Sequence, residues 1–178
     1  AAGTLTVDVT QAADTADLND VAAVIVAEAE FATVVVTSNE TISAAEAAAA
    51  LELDDVSRVV KSMVCVTSGG EPVVVLVGGD DRIDFAALAA HLGTPRVRLS
   101  TLAEAEEITG YEVGAVAPIG DFSLRTVMDA AVASSSSDVF TGAGNSDDHL
   151  QISPAELRRA TGCSVCACAV EPPPPAPP

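Results

Sequence analysis

The chain has 178 residues, with 26 Asp and Glu against 8 Lys and Arg, a formal charge of −18 and 49% hydrophobic residues. That length suits one domain with a sizeable core, and the scarcity of basic residues excludes a basic nucleic-acid-binding surface. No apolar run approaches the roughly eighteen residues that a membrane span needs, and the opening AAGTLTVDVT lacks the basic flank and apolar block of a signal peptide. The expectation is a soluble, cytoplasmic protein with no membrane partner.

The first eleven residues carry no clear signal. From Ala12 to Glu30 the recurrence of Leu18, Val21, Ala22, Ile25 and Val26 predicts a helix capped by Asp17 or Asn19, and the β-branched run Thr33 to Thr37 predicts a strand. Ser43 with Glu46 three residues later forms a capping box ahead of an alanine-rich helix. Val56 to Thr67 and Pro72 to Val77 flank SGGE, a hairpin pattern expected at the centre of the sheet. Asp84 caps a helix over Phe85 to Leu92 that Gly93 closes, and Arg96 to Leu99 is a short strand. Ser100 is then read as the cap of a helix over Leu102 to Thr109 ended by Gly110. A long loop follows, YEVGAVAPIGD, rich in turn formers.

Short strands are expected at Leu124 to Met128, Val139 to Thr141 and Leu150 to Ile152. Ser153 caps a helix from Pro154 to Ala160, and Ser164 to Val170 reads as a final strand. The irregular interleaving predicts a mixed α/β fold rather than a doubly wound parallel sheet. EPPPPAPP, residues 171–178, predicts a polyproline II tail outside a single domain over 12–170.

The carboxylates are scattered among periodic apolar residues, which argues for a folded acidic surface rather than a disordered block. With a single lysine in the chain, this composition suggests adaptation to concentrated salt, the alternative being a GC-biased genome. Cys65, Cys163, Cys166 and Cys168 form no disulfide framework. CSVCAC offers half of a thiolate metal site, with Cys65, His91 and His149 as candidates to complete it, but the spacing favours small apolar residues in a buried strand. No metal and no cofactor are expected.

Hydrolase and nucleotide motifs are absent. There is no GxSxG elbow, no GxGxxG, and GAGNSDDH lacks the lysine of a P-loop. Asp80, Asp81 and Asp84 fit a turn and a helix cap better than a calcium loop. His91 reads as a helix-dipole partner and His149 as a surface residue.

Lys61 stands apart. In VVKSMVCV the period of two places it with Val59, Met63 and Cys65, an ammonium on an otherwise apolar strand face. Such a group snorkels, pairs or serves a pocket; an edge lysine that blocks sheet pairing fits the spacing equally well.

The blocks VVKSMVCV, VLVGGDDRIDFAALAAHLG, LSTLAEAEEITGYEVGAVAPIG and FTGAGNSDDHLQISPAELRRATG, in this order between about Val21 and Ala169, resemble the YbaK/prolyl-tRNA-synthetase-associated editing domain family. The Lys61–Ser62 pair with the TGYxxG and GxxxP elements at Thr109 to Pro118 carries the resemblance. It implies a mixed sheet partly closed into a barrel with flanking helices, and a trans-editing aminoacyl-tRNA deacylase acting on mischarged tRNA, commonly cysteine or alanine on the proline tRNA. A prolyl-tRNA synthetase is an implied partner.

The family's essential lysine falls on Lys61. Its substrate-binding positions fall on Ser62, on the loop Gly114, Ala115, Val116, Ala117 and Pro118, and on Asp129. Asp147 and Asp148 stand where the family often carries basic residues. A non-catalytic module that keeps the fold and binds a synthetase or another protein is the alternative, favoured if a side chain blocks the pocket.

Overall fold

A computed structural model of the chain describes residues 32–36, 43–112, 114–119, 124–145 and 148–170. The expected helix from Ala12 to Glu30, the first eleven residues and the Pro-rich tail lie outside the described residues.

The sheet is organised around one hairpin. β2 (Val59–Thr67) and β3 (Pro72–Gly78) pair antiparallel from Val60↔Gly78 to Val66↔Pro72. Valine-rich, β-branched sequence suits this doubly covered position, since side chains project alternately to both faces. The remaining members of this sheet are β1 (Ala32–Val36), β5 (Val97–Leu99), β6 (Arg125–Asp129), β7 (Val139–Gly142), β8 (Asp148–Ile152) and β9 (Ser164–Cys166). Their order is β1-β8-β7-β2-β3-β6-β9, with β5 as an additional neighbour of β2. The β2–β7, β3–β6 and β6–β9 pairs are parallel and the rest antiparallel, so the sheet is mixed. A separate two-stranded ribbon joins β4 (Arg82–Ile83) to β10 (Ala169–Val170).

Alternation along the hairpin gives a core on each face. Val60, Val74, Leu76 and Met128 pack with Val132 of α4 (Ala130–Ala133) and Leu157 of α5 (Pro154–Thr161). Cys65, Val73, Val75, Val77 and Val127 pack against Leu88 and Ala89 of α2 (Phe85–Leu92). Two further helices approach β2 itself. α1 (Ala44–Ala50) sets Ala44, Ala47 and Ala48 on Val59, and α3 (Leu102–Thr109) sets Ala105 on Val64 and Val116.

Most local signals act where the residues predict. The Ser43 hydroxyl accepts the Glu46 N–H and Asp84 accepts from Ala86 and Ala87, while Gly93 closes α2 in the left-handed region. Four expectations need correction. Residues Val56–Arg58 form a 3-10 turn capped by Asp55 instead of the start of β2. Thr101, not Ser100, caps α3: its hydroxyl accepts the Glu104 N–H while the Glu104 carboxylate accepts the Thr101 N–H, and Arg98 grips the same carboxylate.

The last strand is two strands, β9 and β10, in different sheets. The break falls where the Asp129 carboxylate accepts the N–H groups of Cys168 and Ala169 at 2.9 and 2.8 Å. His149, finally, is 7% exposed, not a surface residue.

Candidate active site

β2 has an unequal pair of edges. Along β3 it is paired from Val60 to Val66. Its other edge is divided: β7 takes only Val59 and Val60, and β5 takes only Cys65 to Thr67. Between them the strand has no neighbour on that side among the described residues. The Ser100 N–H reaches the Val64 carbonyl at 3.0 Å. Because successive residues of a strand turn their backbone groups to opposite edges, the Ser62 N–H and C=O face this same gap.

A cavity of about 270 Å³ opens there. Its walls come from β2 between Val59 and Val64, Ala44 and Ala47 of α1, the β5–α3 corner, Gly114 and Val116 of the long loop, Thr141 and Gly142 of β7, and Asn145 and His149. The lining is mostly apolar with a few polar groups brought together, the usual character of a small-molecule site.

Lys61 lines this cavity, half-buried, and its ammonium donates to the Asp81 carbonyl at 3.0 Å. Burial pulls its pKa below the ordinary lysine value of 10.5, opposed by the charges of Asp80 and Asp81. The lysine is therefore neither a snorkelling surface group nor a blocker of an outer edge, since β2 lies inside the sheet. Asp80 and Asp81 follow β3 in the turn that Gly78 begins, with the Asp81 N–H on the Gly78 carbonyl.

The loop is held by its own apolar side chains. Ala115, Val116, Ala117, Pro118 and Ile119 are all buried, Val116 against Val64 and Ala105, and Ile119 in the core beneath α4 and α5. Gly114 is exposed with φ 94°, a conformation that favours glycine. Gly142 serves a different need: a Cβ there would stand 2.8 Å from the Val116 carbonyl oxygen, so its absence lets β7 and the loop approach.

Of the residues singled out in the sequence, Lys61, Ser62, Gly114 and Val116 meet at the cavity. Ala115, Ala117 and Pro118 lie behind the wall as buried supports. Asp129 is not on the wall. It is 3% exposed, and its carboxylate accepts the N–H groups of Ala131, Cys168 and Ala169, tying the end of β6 to α4 and to the chain between β9 and β10.

Sequence reasoning did not single out Thr141, Asn145 or the burial of His149. The signal lay in FTGAGNSDDH, where the absence of a P-loop lysine says nothing about a pocket wall.

Three of the cysteines, Cys65, Cys166 and Cys168, gather under α2, with Cys166 beside the Cys168 thiol, and Cys163 lies apart. Cys163 belongs to the core under α4 and α5, whereas Cys65 and Cys168 belong to the one under α2. Burial pushes the thiols of Cys65 and Cys168 up to about 12, which keeps them protonated at neutral pH. Among the described residues no group of three or more His, Cys, Asp and Glu side chains is placed to hold a metal, and no helix is long and apolar enough to cross a membrane.

Comparison with known proteins adds independent findings. The family model described as the aminoacyl-tRNA editing domain matches residues 39–160. The multifunctional Ser/Thr-tRNA deacylase ProXp-y of Escherichia coli (strain K12) is 27% identical over 134 residues, 68% of this chain and 80% of that protein. A proline–tRNA ligase of Syntrophotalea carbinolica is 34% identical over 104 residues, 58% of this chain but 18% of the ligase.

Among solved structures, a hypothetical protein superposes with TM-score 0.77 at 31% identity, covering 85% of this chain and 99% of its own. A proposed trans-editing enzyme for prolyl-tRNA synthetase superposes with TM-score 0.78 at 27% identity, covering 89% of this chain and 100% of its own.

Proposed function

The chain belongs to the aminoacyl-tRNA editing domain family, and from that premise we propose that it hydrolyses, in trans, the ester of a mischarged tRNA seated at the divided edge of β2. The observation that carries this reading is the place of Lys61, the chain's single lysine, on the wall of an open cavity beside the Gly114–Val116 loop and the Ser62 backbone, which has no strand neighbour on that side among the described residues. An open cavity of this kind supports catalysis over a module that only binds.

The chemistry needs no Ser-His-Asp constellation. An aminoacyl ester is already activated, so holding it, polarising its carbonyl and admitting a nucleophile suffices. Attack at the carbonyl carbon forms a tetrahedral oxyanion. Collapse of that intermediate breaks the ester C–O bond, releasing the amino acid and leaving the ribose hydroxyl on the tRNA. The Lys61 ammonium offers positive charge near the developing oxyanion or a neighbouring phosphate, and the Ser62 N–H offers a fixed backbone donor. Water as the nucleophile passes its proton to the departing ribose oxygen and gives the free amino acid directly; a thiol of the substrate's own side chain would first give a cyclic thioester that water then opens, and a ribose hydroxyl can serve only to accept the water's proton.

The expected substrates are tRNAs carrying a small wrong amino acid, cysteine or alanine on the proline tRNA. Similarity to part of a proline–tRNA ligase supports action beside a prolyl-tRNA synthetase in the cytoplasm. The editing domain takes in residues 12–170, with the Pro-rich tail outside it.

The test is a panel of mischarged tRNAs offered to the full chain at low and molar salt, with deacylation read directly. Hydrolysis of at least one small aminoacyl ester at a rate well above the uncatalysed one is expected. Inactivity across the panel at both salt concentrations overturns the assignment.

A further inference from the structure

Cys166 and Cys168 have no part in the chemistry described above. They lie two residues apart where the chain leaves β9 for β10, and both pack with Cys65 in the core under α2. Cys166 lies beside the Cys168 thiol, and its own thiol points at the Ala87 carbonyl of α2, 4.0 Å away. The Asp129 carboxylate, by accepting the N–H groups of Cys168 and Ala169, holds the chain between them in place. The two thiols differ in access: Cys168 is 0% exposed, whereas Cys166 is half-buried on β9, the last strand of the sheet on that side, next to the exposed Ala167. A small apolar position is filled as well by the alanine and valine that this chain uses freely. Two neighbouring thiols add a reaction that those residues lack.

We infer that Cys166 and Cys168 form an oxidation site, a dithiol that a hydroperoxide closes to a disulfide, and that closing it loosens the hold on Lys61. The Cys166 sulfur attacks one peroxide oxygen, forming an S–O bond and breaking the O–O bond, and the departing hydroxide takes the Cys166 proton to become water. The Cys168 sulfur then attacks the Cys166 sulfur, forming the S–S bond and breaking S–O, and the second hydroxide leaves as water with the Cys168 proton. Two thiols are oxidised and one peroxide is reduced to two waters. A small dithiol reverses the change by exchange, itself becoming the disulfide.

A short run of backbone hydrogen bonds joins this pair to the lysine. The Cys168 carbonyl accepts the Asp84 N–H at 2.8 Å, and beyond it Ala169 and Val170 pair with Ile83 and Arg82. Arg82 follows Asp81, whose carbonyl accepts from the Lys61 ammonium. A covalent bond is shorter than the contact it replaces, so closure displaces one of the two cysteines. Cys166 is fixed in the sheet by its register with Asp129, and the movement therefore falls on Cys168 and on the β4–β10 ribbon that continues into Asp81. The inference rests on where Lys61 is placed and not on the deacylase reading.

The experiment treats the full chain with hydrogen peroxide, alkylates the remaining thiols after unfolding, and maps them by mass. One disulfide between Cys166 and Cys168 is expected, with Cys65 and Cys163 alkylated. Both forms are then exposed, folded, to an acetylating ester. Lys61 is the chain's single lysine, so its labelling is read from one peptide. The disulfide form should label faster by about threefold or more, the scale on which a contiguous network shifts a neighbouring site, and dithiothreitol should restore the slower rate. Cys166→Ser, at the more accessible position, should fold as the parent does and show no change in Lys61 labelling after peroxide.

Cys166 and Cys168 both free after peroxide, or a bond from Cys65 to Cys168 in place of theirs, overturns the oxidation site. Lys61 labelling that is equal or slower in the disulfide form, or that peroxide alters equally in Cys166→Ser, overturns the coupling.

Discussion

Lys61 and Asp81 are joined by a hydrogen bond of 3.0 Å from the ammonium to the backbone carbonyl, across the hairpin that centres the sheet. The acceptor is main chain, so it fixes where the charge sits without neutralising it. The carboxylates of Asp80 and Asp81 supply attraction, but burial outweighs them, and the ammonium is held half-buried against its preference for water.

Catalysis should depend on that placed charge. Lys61→Ala is expected to lower kcat/KM for deacylation by about 100-fold or more, the usual loss when a group stabilising the oxyanion is removed. Lys61→Arg separates charge from shape: a guanidinium fork does not fit where a compact ammonium contacts one carbonyl, so little activity should return. Normal turnover by Lys61→Ala would remove this residue from the mechanism.

The same burial predicts a stability effect of opposite sense. Since the folded-state pKa lies below 10.5, the unfolded chain binds the proton more tightly. Stability therefore rises with pH between the folded value and 10.5, and the charged lysine is a burden at neutral pH. Lys61→Met, of similar length and apolar, should melt at or above the parent at pH 7, with the gap closing near pH 10.5. A lower melting temperature at pH 7 would show that the ammonium stabilises the fold.

Asp129 should behave in reverse. Asn at this position must turn an NH₂ towards backbone donors, because both carboxylate oxygens are occupied by the N–H groups of Ala131, Cys168 and Ala169. Asp129→Asn is expected to destabilise by about 2–4 kcal/mol in chemical denaturation. A variant as stable as the parent would free Asp129 for a role in the site.

The α3 cap carries a pH signature. The Arg98 guanidinium, with the Thr101 N–H, holds the Glu104 carboxyl at about 2, below its ordinary 4.5. A depressed pKa of this kind contributes stability that is present above 4.5 and is lost as pH falls towards 2. Glu104→Gln should flatten that part of the acid-denaturation curve. An unchanged curve would mean that the pair is broken in solution.

Net charge gives the last expectation. With 26 acidic against 8 basic residues, screening should relieve repulsion, so the melting temperature should rise from dilute to molar potassium chloride. A flat response would favour genome composition over salt adaptation as the origin of the acidity.

Sequence by itself determined the features that depend on near neighbours. Caps at Ser43, Asp84 and Ser153 and the left-handed Gly93 need only residues within a turn, and the hairpin needs only alternating apolar runs around SGGE. The unusual placement of Lys61 was legible for the same reason, since a period of two says which side chains share a face.

What tertiary structure decided depends on segments that meet from far apart in the chain. The cap of α3 is the exception, a local choice that the sequence also carried: Glu104, three residues after Thr101, completes a capping box with Thr101 and not with Ser100. The interruption between β9 and β10 comes from a carboxylate about forty residues earlier, acting through hydrogen bonds that have no local pattern. The cavity exists because β5 and β7 part from β2 at different points, setting Ser62 and Thr141 in one wall and burying His149. A pocket is the space between packed segments, so it becomes visible only when their paths are known.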